Sequence, residues 1–285
     1  MFRIVVLTLA SLLALAAPLA AKDFVFTAIP DEDETRLKAR FDKVALYLQR
    51  QLGVPVKFVP VKSYAASVIA FANDQVQMAW FGGLSGVRAR QKVPGSRAIA
   101  QGVEDRQFVT YFIAHVSTGL AENGKFPAGI KGKTFTFGSK GSTSGRLMPD
   151  FYIREFFGQA PRRVFRRVGY SGDHSKTIAL VQSGAYLVGA VNFKVWENEK
   201  KAGRIDPAKA RIIWRTPPYP DYNWTVRGGV DRVYGKGFTG RLQKALLEMK
   251  DRELLESFPR KGFIPAKNED YLPILAIGKK IGLLD

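Results

Sequence analysis

The chain has 285 residues, no cysteine and a formal net charge of +19. The lack of cysteine excludes disulfides, thiolate metal sites and thiol catalysis. With 46% hydrophobic residues, it can bury a sizeable core as one large or two medium domains.

Arg3, an apolar run over residues 4–17 and the small residues Ala20-Ala21 read as a secretory signal peptide, 1–21, cut after Ala21. The run is too short for a membrane span of roughly 18 to 20 residues. The expected product, residues 22–285, is exported to the periplasm without a lipid-bearing cysteine.

Strand and helix signals then alternate. Residues 24–29 read as a strand, and 35–52 as a helix with Leu37, Phe41, Val44, Leu48 and Leu52 on one face and Gly53 ending it. Strands are expected at 54–61, 77–81 and 97–102, with helices at 63–72 and from Gly83 to about Gln91. This βαβ order predicts a parallel sheet covered on both faces. A β-type run at 108–114 leads to a polar loop and a second series: strands at 133–137, 163–168, 186–193 and 210–215, and a helix at 175–183. Helical patterns close the chain at 239–250 and 272–284. The fold class is therefore α/β, with two doubly wound sheets joined by extended crossings near 110–118 and 212–222. One lobe would take 22–113 plus 218–285 and the other 114–217. The ligand cleft would lie between them at strand C-terminal ends, suited to hinge closure.

The most informative stretch is Gly138-Ser139-Lys140-Gly141-Ser142-Thr143-Ser144-Gly145, where a strand hands over to a helix. Free backbone N–H groups and the positive end of the helix dipole favour an anion there. Ser142, Thr143 and Ser144 add three neutral hydroxyl donors. The competing reading is an ordinary helix cap.

Three other segments end strands: Lys62-Ser63-Tyr64, Trp80-Phe81-Gly82-Gly83, and Gly169-Tyr170-Ser171-Gly172-Asp173-His174. Tyr64, Trp80 and Phe81 would either wall the cleft or pack in the core. His174 would donate to an anion, and a dianion would raise its pKa into a charge-assisted bond. His115, in an apolar run, reads as structural.

The basic residues are spread, densest at Arg162, Arg163, Arg166 and Arg167. They carry no interleaved aromatics and no helix-turn-helix or zinc-finger spacing, so nucleic acid is not expected. The charge reads as a solvated surface that also steers anions. A Ser/His hydrolase is conceivable, but Gly141-Ser-Thr-Ser-Gly145 centres Thr where a nucleophile elbow needs Ser. Lys140 precedes Gly141, against the phosphate-binding loop of nucleotide hydrolases. Two distant histidines leave no metal cluster, and no cofactor is expected.

Taken together, Lys62-Ser-Tyr64, the Ser142-Thr-Ser144 block, Ser171-Gly-Asp-His-Ser175 and Gln182-Ser-Gly184 resemble the phosphonate-binding family of periplasmic proteins that serve ATP-driven importers. Trp80-Phe-Gly-Gly-Leu-Ser85 and Gln101-Gly-Val-Glu-Asp105 look more like its selenate-binding subgroup. The resemblance implies that Tyr64, Tyr111, Ser142, Thr143, Ser144 and His174 surround a small tetrahedral oxyanion. It implies a membrane permease as partner and no catalysis, and since nothing in the sequence suggests an interface, a monomer is expected. A sensing partner of a signalling receptor would share the same binding physics. Family members that take aminoalkyl phosphonates carry two carboxylates. Here Asn192 replaces one and Asp221 retains the other, which argues for a bare oxyanion. A carboxylate facing the cleft would favour phosphorus oxyanions, which can carry a P–OH, over proton-free selenate or sulfate.

Overall fold

In the computed structural model of the chain, residues 22–285 are described. The expected signal peptide lies outside them. In chain order the strands are β1 (Phe24–Ala28), β2 (Val56–Phe58), β3 (Met78–Phe81), β4 (Arg97–Gly102), β5 (Thr110–His115), β6 (Thr134–Phe137), β7 (Arg167–Tyr170), β8 (Val188–Asn192), β9 (Ala210–Arg215), β10 (Asn223–Val226) and β11 (Phe263–Pro265). They form two sheets, ordered β11-β4-β10-β3-β1-β2 and β7-β6-β8-β5-β9, with helices packed on them in a two-lobed α/β architecture.

Neither sheet is wholly parallel. The β2-β1-β3 and β7-β6-β8 trios are parallel, as βαβ order requires. The strands next to the crossings run the other way: β10 pairs antiparallel with β3 and β4, and β5 with β8 and β9. A chain that leaves one lobe and returns must enter each sheet against its grain. The strand β10 went unread because it follows Pro217, Pro218 and Pro220, whose lack of N–H groups argues locally against a strand. The expected strand at 163–168 is instead a short helix, Pro161–Val164, followed by β7, since Pro161 presets the first helical position.

The first crossing falls earlier than residues 110–118, before β5. β5 lies wholly in the second sheet, so a lobe boundary at 113/114 would cut a strand. The two crossings run side by side. Phe108 and Tyr219 exchange backbone hydrogen bonds of 2.8 and 2.9 Å, and the Asp221 N–H donates to the Asp105 carbonyl at 2.9 Å. Beneath them, the Arg260 guanidinium is fully buried against Asp105, at 2.8 and 2.9 Å, within 6 Å of the Trp80, Phe108 and Tyr222 rings.

The first lobe is built on Phe24, Phe26, Phe41, Phe71, Trp80 and Trp224. The second sheet buries both faces: Phe112, Phe135 and Trp214 on one, Tyr111, Ile113, Val191 and Trp196 on the other. No helix among the described residues is long and apolar enough to cross a membrane.

Candidate functional site

The Ser-Thr-Ser block sits at the end of β6 and opens a helix whose first turn, Thr143–Leu147, is π-helical, with the Leu147 N–H reaching back to the Ser142 carbonyl at 3.0 Å. The wide turn runs straight into the helix Met148–Phe157 and points three hydroxyls at the interlobe seam. Ser142 does cap the helix, its Oγ accepting the Gly145 N–H at 2.9 Å. Thr143 Oγ1 accepts the Leu84 N–H at 3.0 Å from the opposite lobe. Ser144 Oγ lies 3.4 Å from His174 Nε2. Ser142 and Thr143 accept backbone N–H groups, which leaves their own protons to donate, that of Thr143 toward Asp221. Capping and anion binding are compatible uses of one side chain. The N–H groups of Thr143 and Ser144, at the first two positions of the turn, have no acceptor among the described residues.

His174 opens the helix His174–Gln182, with Asp173 as its cap. The Asn192 N–H donates to His174 Nδ1 at 3.2 Å, which places the ring proton on Nε2, facing Ser144. Burial pushes the His174 pKa down from 6.5 to about 3. In the ligand-free protein this disfavours the charge-assisted bond expected from the sequence, because protonating Nδ1 would break its backbone bond. The ring is oriented by an amide rather than a carboxylate, unlike the base of a hydrolase triad.

Among the described residues, Tyr64 Oη, Asp221 Oδ2 and Asp31 Oδ1 are buried near the seam with no hydrogen-bond partner. Tyr64 begins the helix Tyr64–Ala72, capped by Ser63, and lies beside Ser142. Asp221 Oδ1 accepts the Gly83 N–H at 2.8 Å, and the Thr143 hydroxyl adjoins it. A Cβ at Gly82 would stand 3.1 Å from Asp221 Oδ1 and 3.3 Å from Thr143 Oγ1. Burial raises the Asp221 pKa from 3.8 to about 7. Asp31, three residues past the end of β1, accepts the Tyr222 hydroxyl at 2.7 Å on Oδ2, and its carbonyl accepts the His174 N–H at 2.9 Å.

The remaining candidates separate. Asn192 is committed elsewhere: Oδ1 caps the helix Phe193–Lys201 and Nδ2 donates to Tyr222 Oη at 2.9 Å. Trp80 is buried in the first-lobe core, stacked against Tyr222 at 5.5 Å, and supports the pocket from beneath. Phe81 packs edge-on against Phe71 within that core, which favours the packing reading for it. Tyr111 lies on the far face of β5, hydrogen bonded to Arg215 and Glu197 at 2.7 and 3.2 Å. Its neighbour Thr110 is the residue that faces the site, bonding the Ser144 carbonyl at 3.0 Å and Tyr219 Oη at 2.6 Å. One position along a strand reverses the face. Asp31, Thr110, Tyr219 and Tyr222 were missed. The cue that could have found Asp31 is its place just beyond the C-terminal end of a parallel strand.

The lobes are closed on one another. Arg36 bridges to Glu199 at 2.6 Å and to Ser175 Oγ at 3.2 Å, and Lys280 reaches Glu155 at 2.9 Å. A groove of about 610 Å³ beside the seam includes Tyr64, Gly141, Arg88, Lys92 and Lys140, and no carboxylate.

The chain matches, over residues 26–271, the periplasmic substrate-binding proteins of phosphonate ABC transporters. It belongs to that family. Over 261 residues it is 38% identical to the probable ABC transporter phosphite binding protein PhnD1 of Prochlorococcus marinus, covering 89% of this chain and 88% of that protein. The structure of PhnD1 in complex with methylphosphonate superposes with a TM-score of 0.87 at 37% identity, covering 92% of this chain and 99% of the other. The binding component of a Pseudomonas aeruginosa phosphonate transporter shares the fold at 19% identity, with a TM-score of 0.79, covering 90% of this chain and 85% of that one. This family member is thus a periplasmic binding component of an importer and not an enzyme. The hydrolase reading falls on that finding.

Proposed function

We propose that the protein captures a small phosphorus oxyanion, phosphite or a short phosphonate such as methylphosphonate, and delivers it to a membrane permease. The N-terminal segment would export it, and residues 22–108 with 218–285 would form one lobe and 109–217 the other. The oxygens would be held by the hydroxyls of Ser142, Thr143, Ser144 and Tyr64, the Thr143 and Ser144 N–H groups, and neutral His174 Nε2.

The observation that carries the choice of anion is Asp221, a fully buried carboxyl beside Thr143 with Oδ2 unpartnered. A carboxyl in contact with an anion needs one proton shared between them. Phosphorus oxyanions supply or accept that proton readily near neutrality. Selenate and sulfate are far weaker bases, so Asp221 disfavours them. A similar protein is named for phosphite, and its structure holds methylphosphonate, which supports the same class. Asn192, engaged with Tyr222 and with its own helix, offers no counter-charge to an ammonium group.

Calorimetric titration with phosphite, methylphosphonate, phosphate, selenate and sulfate at pH 7 tests the proposal. Tight binding of a phosphorus oxyanion with selenate and sulfate silent is expected. Selenate or sulfate binding best, or silence from all five, would overturn it.

A further inference from the structure

The acidic run Asp31-Glu32-Asp33-Glu34 behaves as four different residues. Asp33 caps the helix Glu34–Leu52, accepting the Arg36 N–H at 3.0 Å. Glu34 is exposed and pairs with Lys62 at 2.7 Å. Glu32 is buried and bound by Arg40. Asp31 alone turns inward with no cation in contact: one oxygen takes the Tyr222 hydroxyl and the other takes nothing.

The groups that face Asp31 are Glu32 behind it, Arg40 on the first helix, Tyr222 and Arg260 from the crossing and core, and Tyr64 on the same lobe. Tyr64 and Tyr222 each lie close enough to feel the charges of both Asp31 and Asp221. Asp31 also meets the site through its backbone, its carbonyl accepting the His174 N–H at 2.9 Å, and Asp31 and Asp221 each leave one buried oxygen unpartnered. Arg40 is engaged by Glu32 and Arg260 by Asp105, so neither is free to neutralise Asp31.

We infer that Asp31 is a second ligand-facing carboxyl that sets specificity, so that the bound complex holds two protons, one shared between the anion and each aspartate. This rests on the small-oxyanion reading above. The balance is simple. A phosphite dianion and two carboxylates bring four negative charges into the pocket. Two protons from solvent, or one from solvent when the monoanion binds, convert both repulsive contacts into hydrogen bonds. The pocket then selects oxyanions with two basic oxygens, and binding is coupled to proton uptake. Burial, with Glu32 beside it, raises the Asp31 pKa to about 6, in the range where such uptake occurs near neutral pH.

The test is titration with phosphite and with selenate from pH 6 to 9, using the full protein and Asp31→Asn. For the unaltered protein, phosphite affinity should fall by up to a hundredfold per pH unit above about pH 8. In Asp31→Asn the fall should drop to about tenfold per unit. The phosphite-to-selenate affinity ratio should also shrink at least tenfold, because the variant loses an acceptor for phosphite and a repulsion against selenate. Unchanged pH slopes, or equal weakening of both anions, would make Asp31 merely structural and overturn the inference.

Should Asp31→Asn fail to fold, Tyr222→Phe provides the second arm. It removes the bond that favours ionised Asp31 and should move the pH profile upward; an unmoved profile overturns the inference. If the unaltered protein binds none of these anions, the oxyanion reading itself has failed. If it binds phosphite with these slopes unaffected by either variant, only the role of Asp31 has.

Discussion

Asp221 shows most clearly how burial becomes function at the level of one residue. Its pKa lies at about 7 against an ordinary 3.8 because folding removes it from water. For an acid raised in this way, the neutral form suits the fold. The penalty is absent below pH 3.8, grows as pH rises to about 7, and is constant above, reaching on the order of 4 kcal/mol. Asp221→Asn should therefore raise the stability of the ligand-free protein most at pH 8 and not at pH 4, as followed by thermal melting. It should weaken phosphite binding by about 2 kcal/mol, the scale of a charge-assisted hydrogen bond. A variant that is both more stable and less able to bind is the signature of a group kept for its ligand. His174, with its pKa at about 3, should contribute no inflection near pH 6.5 to the binding profile.

The elements explain which parts of the site could be read in advance. The Ser142-Thr143-Ser144 turn was legible because polar residues between an alternating strand and an amphipathic helix have few other uses. Tyr64 and His174 were legible for the same reason, each opening a helix after a strand. Tyr111, placed at the site by the family resemblance, lies on the other face of its strand; in a sheet buried on both faces no alternation marks the site side, and Thr110, one step away, faces it. Asp31 was hidden in an acidic run that reads as a solvated helix start. The turn from β3 into the helix Gly83–Lys92 offers a sharper test. A methyl at Gly82 would press on Asp221 Oδ1 and Thr143 Oγ1 from 3.1 and 3.3 Å. The backbone there is ordinary, so Gly82→Ala should fold, with melting little changed, and lose at least tenfold in phosphite affinity by calorimetry. Loss of fold with it would show the glycine to be structural.

For the whole molecule, the contacts that cross the seam without touching the ligand pocket tie affinity to closure. Arg36 joins Glu199 and Ser175 across the lobes and also neighbours Glu32 in its own. Because Arg36 is about one-third exposed, its bridge is partly screened and is worth roughly 0.5 to 1 kcal/mol. Arg36→Ala should speed phosphite release two- to fivefold in stopped-flow measurements while leaving the association rate nearly unchanged. An altered association rate with unaltered release would remove this contact from the closed state's stability.

The placement of Asp221 on the returning crossing, hydrogen bonded through its backbone to Asp105 on the outgoing one, would put the proposed anion against the fulcrum rather than at the tip of a jaw. A fulcrum converts small displacements near the axis into large ones at the rim. Ligand width would thus be written into the angle between the lobes. Methylphosphonate, bulkier than phosphite by one methyl, should hold the rims measurably farther apart in solution scattering, and the permease would meet a differently shaped face for each cargo.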